Sequence, residues 1–290
     1  LTHGNKKKAV TTGEIQITTA ATKNACNQSA QGRATTEEIK MFNQNQAKML
    51  QLVTPAKFIA LDIETGNAPI EAVENSIDNW KAPKNWKPET VEAKRAEHAQ
   101  AKREKAALLD ASPILCIACR TDKQSVIFSS MGKTDLQISW RAIECENERE
   151  MLIEFRSLSD LNIDINTVIT GHNLIGFDLP KIRNAFIRHR LKLPMFLLPS
   201  LRDETKNEII DTMKLAKAYT MEHRDDFAIS LDTLAGILDI ERPKQAMSGA
   251  EVPAAFERGE IAPILIYCAI DTETTAQAAQ LMLGIAANLN

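Results

Sequence analysis

Phe58-Ile59-Ala60-Leu61-Asp62-Ile63-Glu64, closed by Thr65-Gly66-Asn67, is the stretch that decides how the chain folds. A short apolar run bounded by turn residues predicts a strand that enters a core. Asp62 and Glu64 lie two residues apart, so on a strand both carboxylates project from one face. Two like charges held close repel, and burying them is costly unless a cation compensates. That is the physical case for a divalent metal. An exposed strand end before a turn is the plainer explanation of an isolated D-x-E pair. The apolar residues 58–61 argue against it.

Further elements flank this strand. Residues 114–119 and 125–128 read as two more strands, separated by Thr121-Asp122-Lys123. A helix is expected at 148–158, a strand at 167–170, and a helix at 179–189. A short strand end follows at 208–211, and 212–219 turns helical. Residues 231–238 form a helix that stops before Arg242-Pro243, and a last helix runs over about 262–287. Three strands followed by alternating helices and strands predict an α/β sheet with mixed strand directions.

Between the first two strands, residues 67–112 are too many for a tight hairpin. They carry Trp80 and Trp86, and 88–109 read as a charged helix with Lys94, Arg95, Lys102, Arg103 and Lys105 among its basic residues. Either this is a solvated surface helix, or it is a lid whose tryptophans and cations touch a nucleic-acid strand. Residues 1–40 are polar, and the first aromatic residue is Phe42. Such a segment buries too little apolar surface to offset its ordering entropy, so 1–55 is expected to be largely disordered, with a helix at about 36–52. Ordered structure is expected from residue 56 to residue 290.

The chain has 290 residues, 44% hydrophobic and 25% charged, as expected of one large or two small globular domains. Its 35 Lys and Arg against 38 Asp and Glu give a formal charge of −3. That excludes a histone-like coat for DNA, so any nucleic-acid contact must be local. No apolar run approaches the roughly 20 residues that cross a bilayer. No apolar stretch follows Lys6-Lys7-Lys8, so no secretory signal is read and a cytoplasmic location is expected. The five cysteines are scattered and do not form a disulfide framework. Cys116 and Cys119 make a C-x-x-C, but no second pair completes four metal ligands. Three apart on a strand, they point to opposite faces and read as small buried hydrophobes.

Two further motifs carry acids. In Gly171-His172-Asn173-Leu174-Ile175-Gly176-Phe177-Asp178-Leu179-Pro180, Asp178 stands where a helix N-cap would be. Capping would account for Asp178 but not for the asparagine and aromatic before it. His172 reads first as a hydrogen-bonded turn histidine. In Tyr267-Cys268-Ala269-Ile270-Asp271, helical spacing puts Ile264, Tyr267, Cys268, Asp271 and Thr275 on one face. An acid among mostly apolar neighbours needs a partner.

In order and spacing, D-x-E on the first strand, N-x-x-x-F-D at a strand-to-helix junction and Y-x-x-x-D near the C-terminus resemble the motifs of the DEDD superfamily of 3′–5′ exonucleases. The tyrosine four residues before the last Asp resembles the tyrosine branch (DEDDy). The histidine branch would place His where this chain has Ile266. The second motif is most similar to the proofreading exonuclease domain of family-B DNA polymerases. Residues 210–214, 230–234 and the loop from Lys244 to Met247-Ser248-Gly249 resemble that family too. The resemblance covers about residues 57–285, and covers 67–112 only loosely.

The resemblance implies a ribonuclease-H-like α/β fold, with a mixed central sheet flanked by helices and a helical insertion after the first strand. It implies that Asp62, Glu64, Asp178 and Asp271 hold two Mg²⁺ or Mn²⁺ ions. Tyr267 would orient the attacking water. Asn173 and Phe177 would lie near the terminal nucleotide, and Lys244 would contact a phosphate. Asp211 and Asp232 resemble structural positions, for which helix capping is enough. The activity implied is two-metal hydrolysis of phosphodiester bonds from a 3′ end, releasing nucleoside 5′-monophosphates. The expected partner is nucleic acid, single-stranded DNA first, with replication or repair proteins as further candidates and no membrane. Since 19 residues follow Asp271, the chain is expected to be free-standing rather than part of a polymerase. The alternatives are a catalytically silent nucleic-acid-binding module of the same fold and an exoribonuclease.

Overall fold

In the computed structural model, the run around Leu61 forms β1 (Lys57–Thr65), which is flanked by strands on both sides. The structure describes residues 57–121, 123–136, 138–160, 167–198, 209–220, 228–242 and 247–283. The segment expected to be disordered, with its helix at 36–52, lies outside the described residues, as does Lys244. Among the described residues, six strands form one sheet in the order β4-β3-β2-β1-β5-β6. The others are β2 (Ile114–Thr121), β3 (Ser125–Ser129), β4 (Arg141–Glu144), β5 (Thr167–Gly171) and β6 (Ile209–Asp211). β1 pairs antiparallel with β2, and β2 antiparallel with β3. The β1–β5, β5–β6 and β3–β4 pairs are parallel. This is the mixed sheet flanked by helices that the sequence predicted. β4 was not predicted. Its four residues are exposed or half-buried and carry no apolar alternation, so pairing with β3 defines it rather than a local pattern.

The alternation along β1 sorts its side chains between two layers. Ile59, Leu61 and Ile63 pack with Met151, Leu152 and Phe155 of α3 (Glu148–Asp160) and with Leu179, Ile182 and Phe186 of α4 (Asp178–Arg188). Phe155 is the hub, meeting Phe128 edge-on at 5.6 Å between centroids and Phe196 at 6.1 Å. On the other face, Leu115, Cys116, Ala118 and Ile127 pack against α7 (Val252–Glu257) and α8 (Ile261–Met282). Leu115 and Cys116 share that face because the β1–β2 register slips beside Glu64 and Thr65, leaving Leu115 as a bulge. Cys119 lies in the opposite core, so the two cysteines of the C-x-x-C do share no site. The helices α5 (Thr212–Ala216) and α6 (Leu231–Ile237) close a smaller apolar cluster against the C-terminal part of α8. Among the described residues, no helix is long and apolar enough to cross a membrane.

The insertion is a helical hairpin. α1 (Ile70–Asp78), which was not predicted, runs beside α2 (Pro88–Glu104), and a 3-10 turn follows at Ala106–Leu108. The predicted helix 88–109 therefore ends five residues early. Val73 and Ile77 of α1 pack with Ala68 and Ala106, while α2 buries none of its residues. Arg103 donates two 3.0 Å hydrogen bonds to Glu74, and Arg95 pairs with Asp78 at 3.5 Å. Two of the cations that the lid alternative would turn toward a nucleic acid are thus engaged with α1. Trp80 stacks on His98 at 5.8 Å and leans on Trp86 at 6.4 Å.

Candidate functional site

The C-terminal end of β1 opens into a cleft of about 370 Å³. Asp62, Glu64, His172, Asn173, Phe177, Asp178, Tyr267 and Asp271 all line it. Segments more than 200 residues apart in the chain meet there: Cys268 Sγ lies 3.4 Å from Asp62 Oδ2, across a separation of 206 residues. Of the residues predicted for the site, the structure brings together all those that it describes.

β1 supplies the first two acids on its α8-facing side. Glu64 and Asp178 are buried, at 8% and 3% exposure, while Asp62 keeps part of its side chain open to the cleft. Burial, then the charges of Asp178 and Asp271, hold the Asp62 carboxyl well above the usual carboxylate range. Burial, then Asp62, does the same to Glu64. Asp178 is likewise raised, by burial first. Burial comes first in each case, so all three carboxylates are poorly solvated as anions, and a bound cation would favour their ionised forms. Oxygens of Asp62 and Glu64 and the sulfur of Cys268 lie within 4.8 Å of one another, close enough to hold one metal ion. Carboxylate oxygens suit Mg²⁺ or Mn²⁺, whereas a thiol does not. Burial keeps the Cys268 thiol protonated, so it serves as a hydrogen-bond donor to Asp62. The donor set therefore fits hard divalent cations.

Asp178 does not cap its helix. Phe177 occupies the N-cap position without a side-chain cap, and Asp178 opens the first turn. Its Oδ1 instead accepts the Ile63 backbone N–H at 3.1 Å, which ties α4 to β1 between the two acids of that strand.

The turn before it is held from a distance. Asn173 adopts φ +60°, a left-handed conformation that Asn tolerates better than most residues. Asp211 fixes it by accepting the N–H of Asn173 and of Ile175, each at 3.1 Å. The same carboxylate caps α5 through Met213 and Lys214, so capping explains only part of Asp211. At Gly176 an added Cβ would fall 2.4 Å from Asn173 Oδ1, so the asparagine side chain needs glycine there. His172 is the hydrogen-bonded turn residue expected. Burial lowers its pKa, Nε2 donates to the Ile229 carbonyl at 2.8 Å, and Nδ1 faces the Thr212 hydroxyl at 3.0 Å.

α8 contributes Tyr267 and Asp271 from one face, as the four-residue spacing predicted. Burial, then Asp271, Glu64 and Asp62, push the Tyr267 phenol up, so it remains a donor across the working pH range. Its hydroxyl faces Gly249, where a Cβ would stand 3.5 Å away.

The sequence reading assigned no site role to Cys268, which touches Asp62, or to Arg242, which lines the cleft. Cys268 carried a signal, since it shares the helix face of Asp271. Arg242 carried none beyond its place before Pro243. Its guanidinium reaches both Asp232 and Asp271. Asp232 does not cap α6 either. Ser230 does so, accepting the Thr233 N–H at 3.1 Å.

No protein-family model matches the chain, and no curated protein matches it. Among solved structures, it is similar to a family B DNA polymerase from the hyperthermophilic archaeon Pyrobaculum calidifontis, with 16% sequence identity and a TM-score of 0.49. The match covers 79% of this chain and 25% of the polymerase, so the chain spans about a quarter of the length of that protein.

Proposed function

We propose that the chain is a metal-dependent 3′–5′ exonuclease of the DEDDy type, hydrolysing phosphodiester bonds at the 3′ end of a nucleic acid. The observation that carries this reading is the convergence of Asp62, Glu64, Asp178, Tyr267 and Asp271 from three distant segments on one cleft. The motif spacing supports it too, as does the cost of ionising these poorly solvated acids without a bound cation. In this reading the four carboxylates hold two divalent cations, Mg²⁺ or Mn²⁺. When bound, these supply a nucleophilic water at neutral pH and stabilise the leaving 3′-oxygen.

The remaining work falls to the chain itself. Cys268 donates to Asp62 and fixes its orientation, and the Ile63 N–H does the same for Asp178. The protonated phenol of Tyr267 aligns the attacking water. Asn173 and the half-buried ring of Phe177 stand at the cleft to receive the terminal nucleotide. Lys181 Nζ lies 5.7 Å from the centroid of that ring, a cation–π contact that steadies it.

A second reading, a silent module that holds a 3′ end, draws on one observation. Arg242 occupies Asp271 with a guanidinium, as a blocked site would. End-labelled single-stranded DNA, duplex DNA and RNA, each incubated with Mg²⁺, Mn²⁺ or EDTA, separate the two. Metal-dependent release of mononucleotides from a 3′ end is expected. Binding without release under either metal would select the silent module.

A further inference from the structure

Arg242 follows α6 and lines the cleft with five carboxylates, those of Asp62, Glu64, Asp178, Asp232 and Asp271. Among the described residues that line it, Arg242 is the sole Lys or Arg. Its side chain is only 10% exposed. Nη1 meets Asp232, whose side chain is 82% exposed, and Nη2 meets Asp271, at 13%. Asp232 does not explain the burial, because a solvated carboxylate could pair with an equally solvated arginine. Nε, the third donor position, is buried and has no hydrogen-bond partner among the described residues.

A buried donor left unmade costs free energy, and a guanidinium is more usually satisfied on every edge. This one sits with its fork divided between a surface acid and an acid of the proposed metal set. Asp271 cannot serve a cation fully while it serves the guanidinium. The planar fork that fits a carboxylate also fits the oxygens of a phosphate.

We propose that Arg242 is a phosphate-binding residue of the cleft, which holds Asp271 in the metal-free protein and yields it to the cation when a nucleotide phosphate takes the guanidinium. The ligand class is a nucleic-acid phosphate or a nucleoside 5′-monophosphate. This inference rests on the proposed metal-dependent reading and deepens it. It also gives the seated guanidinium a role in an active site: Arg242 compensates the acids until cations arrive. Asp232 then acts as the tether that keeps the arginine at the rim during the exchange.

The test uses the full chain, wild type and Arg242→Gln, with calorimetric titration of Mn²⁺ alone and then of thymidine 5′-monophosphate in saturating Mn²⁺. Without the competing guanidinium, Mn²⁺ should bind Arg242→Gln more tightly by roughly fivefold or more. The nucleotide should bind it about tenfold more weakly, the loss expected for one charge-assisted contact. A purely structural arginine would give the opposite sign for Mn²⁺, since a disordered Asp271 is a poorer ligand. Unchanged or weakened Mn²⁺ binding, or unchanged nucleotide binding, would overturn the proposal. Arg242→Lys keeps the charge and loses the fork. If circular dichroism shows Arg242→Gln unfolded, weaker nucleotide binding by Arg242→Lys supports the proposal and unchanged binding overturns it. Failure of the wild type to bind Mn²⁺ would instead strike the metal-dependent reading itself.

Discussion

At the scale of single residues, the cleft works through contacts that each have a separable consequence. Tyr267→Phe keeps the ring and removes the hydroxyl. If the phenol aligns water, kcat should fall roughly 10²–10⁴-fold with KM nearly unchanged, as steady-state kinetics would show. A fall in affinity with kcat intact would make Tyr267 a substrate contact. Asp211→Ala removes one carboxylate that serves the N–H groups of Asn173, Ile175, Met213 and Lys214. It should cost about 1–3 kcal/mol of stability in a denaturant titration, the desolvation penalty of orphaned donors. The acids and Tyr267 were legible in the sequence because i, i+2 on a strand and i, i+4 on a helix fix which side chains share a face. Arg242 was not, because its partner Asp271 lies 29 residues away and no local periodicity relates them. Nor was the grip of Asp211 on Asn173, 38 residues apart. Capping explained Asp211 well enough to hide it.

At the scale of elements, legibility followed length and burial. β1, β2 and α8 carry enough apolar residues to announce themselves. β4 and the six-residue α7 do not, because tertiary packing rather than a local pattern makes them. α1 was missed between Pro69 and Trp80. It gains order by packing Val73 and Ile77 onto Ala68 and Ala106. The hairpin is anchored from α4 by Lys181, whose ammonium reaches the carbonyls of Ala107 and Leu109 and the Ser112 hydroxyl. Burial lowers its pKa to about 8, so it is charged at neutral pH. Lys181→Met should destabilise the protein by about 1–3 kcal/mol through the acceptors it leaves. Because the hairpin leaves β1 directly after Glu64, the variant should also raise KM more than it lowers kcat. An unchanged unfolding midpoint would return the contact to ornament. The exposed Arg95–Asp78 pair should matter far less, at about 0–1 kcal/mol.

At the scale of the whole molecule, the acidic site sets how stability depends on pH. The native carboxyls of Asp62, Glu64 and Asp178 are raised above their ordinary values of 3.8, 4.5 and 3.8. The folded chain therefore binds more protons than the unfolded chain once pH exceeds those values. Stability must fall as pH rises through the raised native values, because ∂ΔG/∂pH is negative there. In EDTA, the melting temperature should accordingly drop from mildly acid to neutral pH. Mn²⁺ should reverse the trend, since cations compete with protons and bind only the folded site. A metal-free melting temperature that climbed over this window would contradict the electrostatic account of the cleft. The central claim, that these acids hold cations for cleavage at a 3′ end, is tested most directly through Asp62. It stands on β1, keeps part of its side chain open to the cleft, and touches the helix that carries Asp271. The measurement is mononucleotide release from a 3′-labelled strand by wild type and Asp62→Ala in Mn²⁺, with circular dichroism as the folding control. The account predicts release by the wild type and essentially none by a folded Asp62→Ala. Wild-type rates in the folded variant would contradict it.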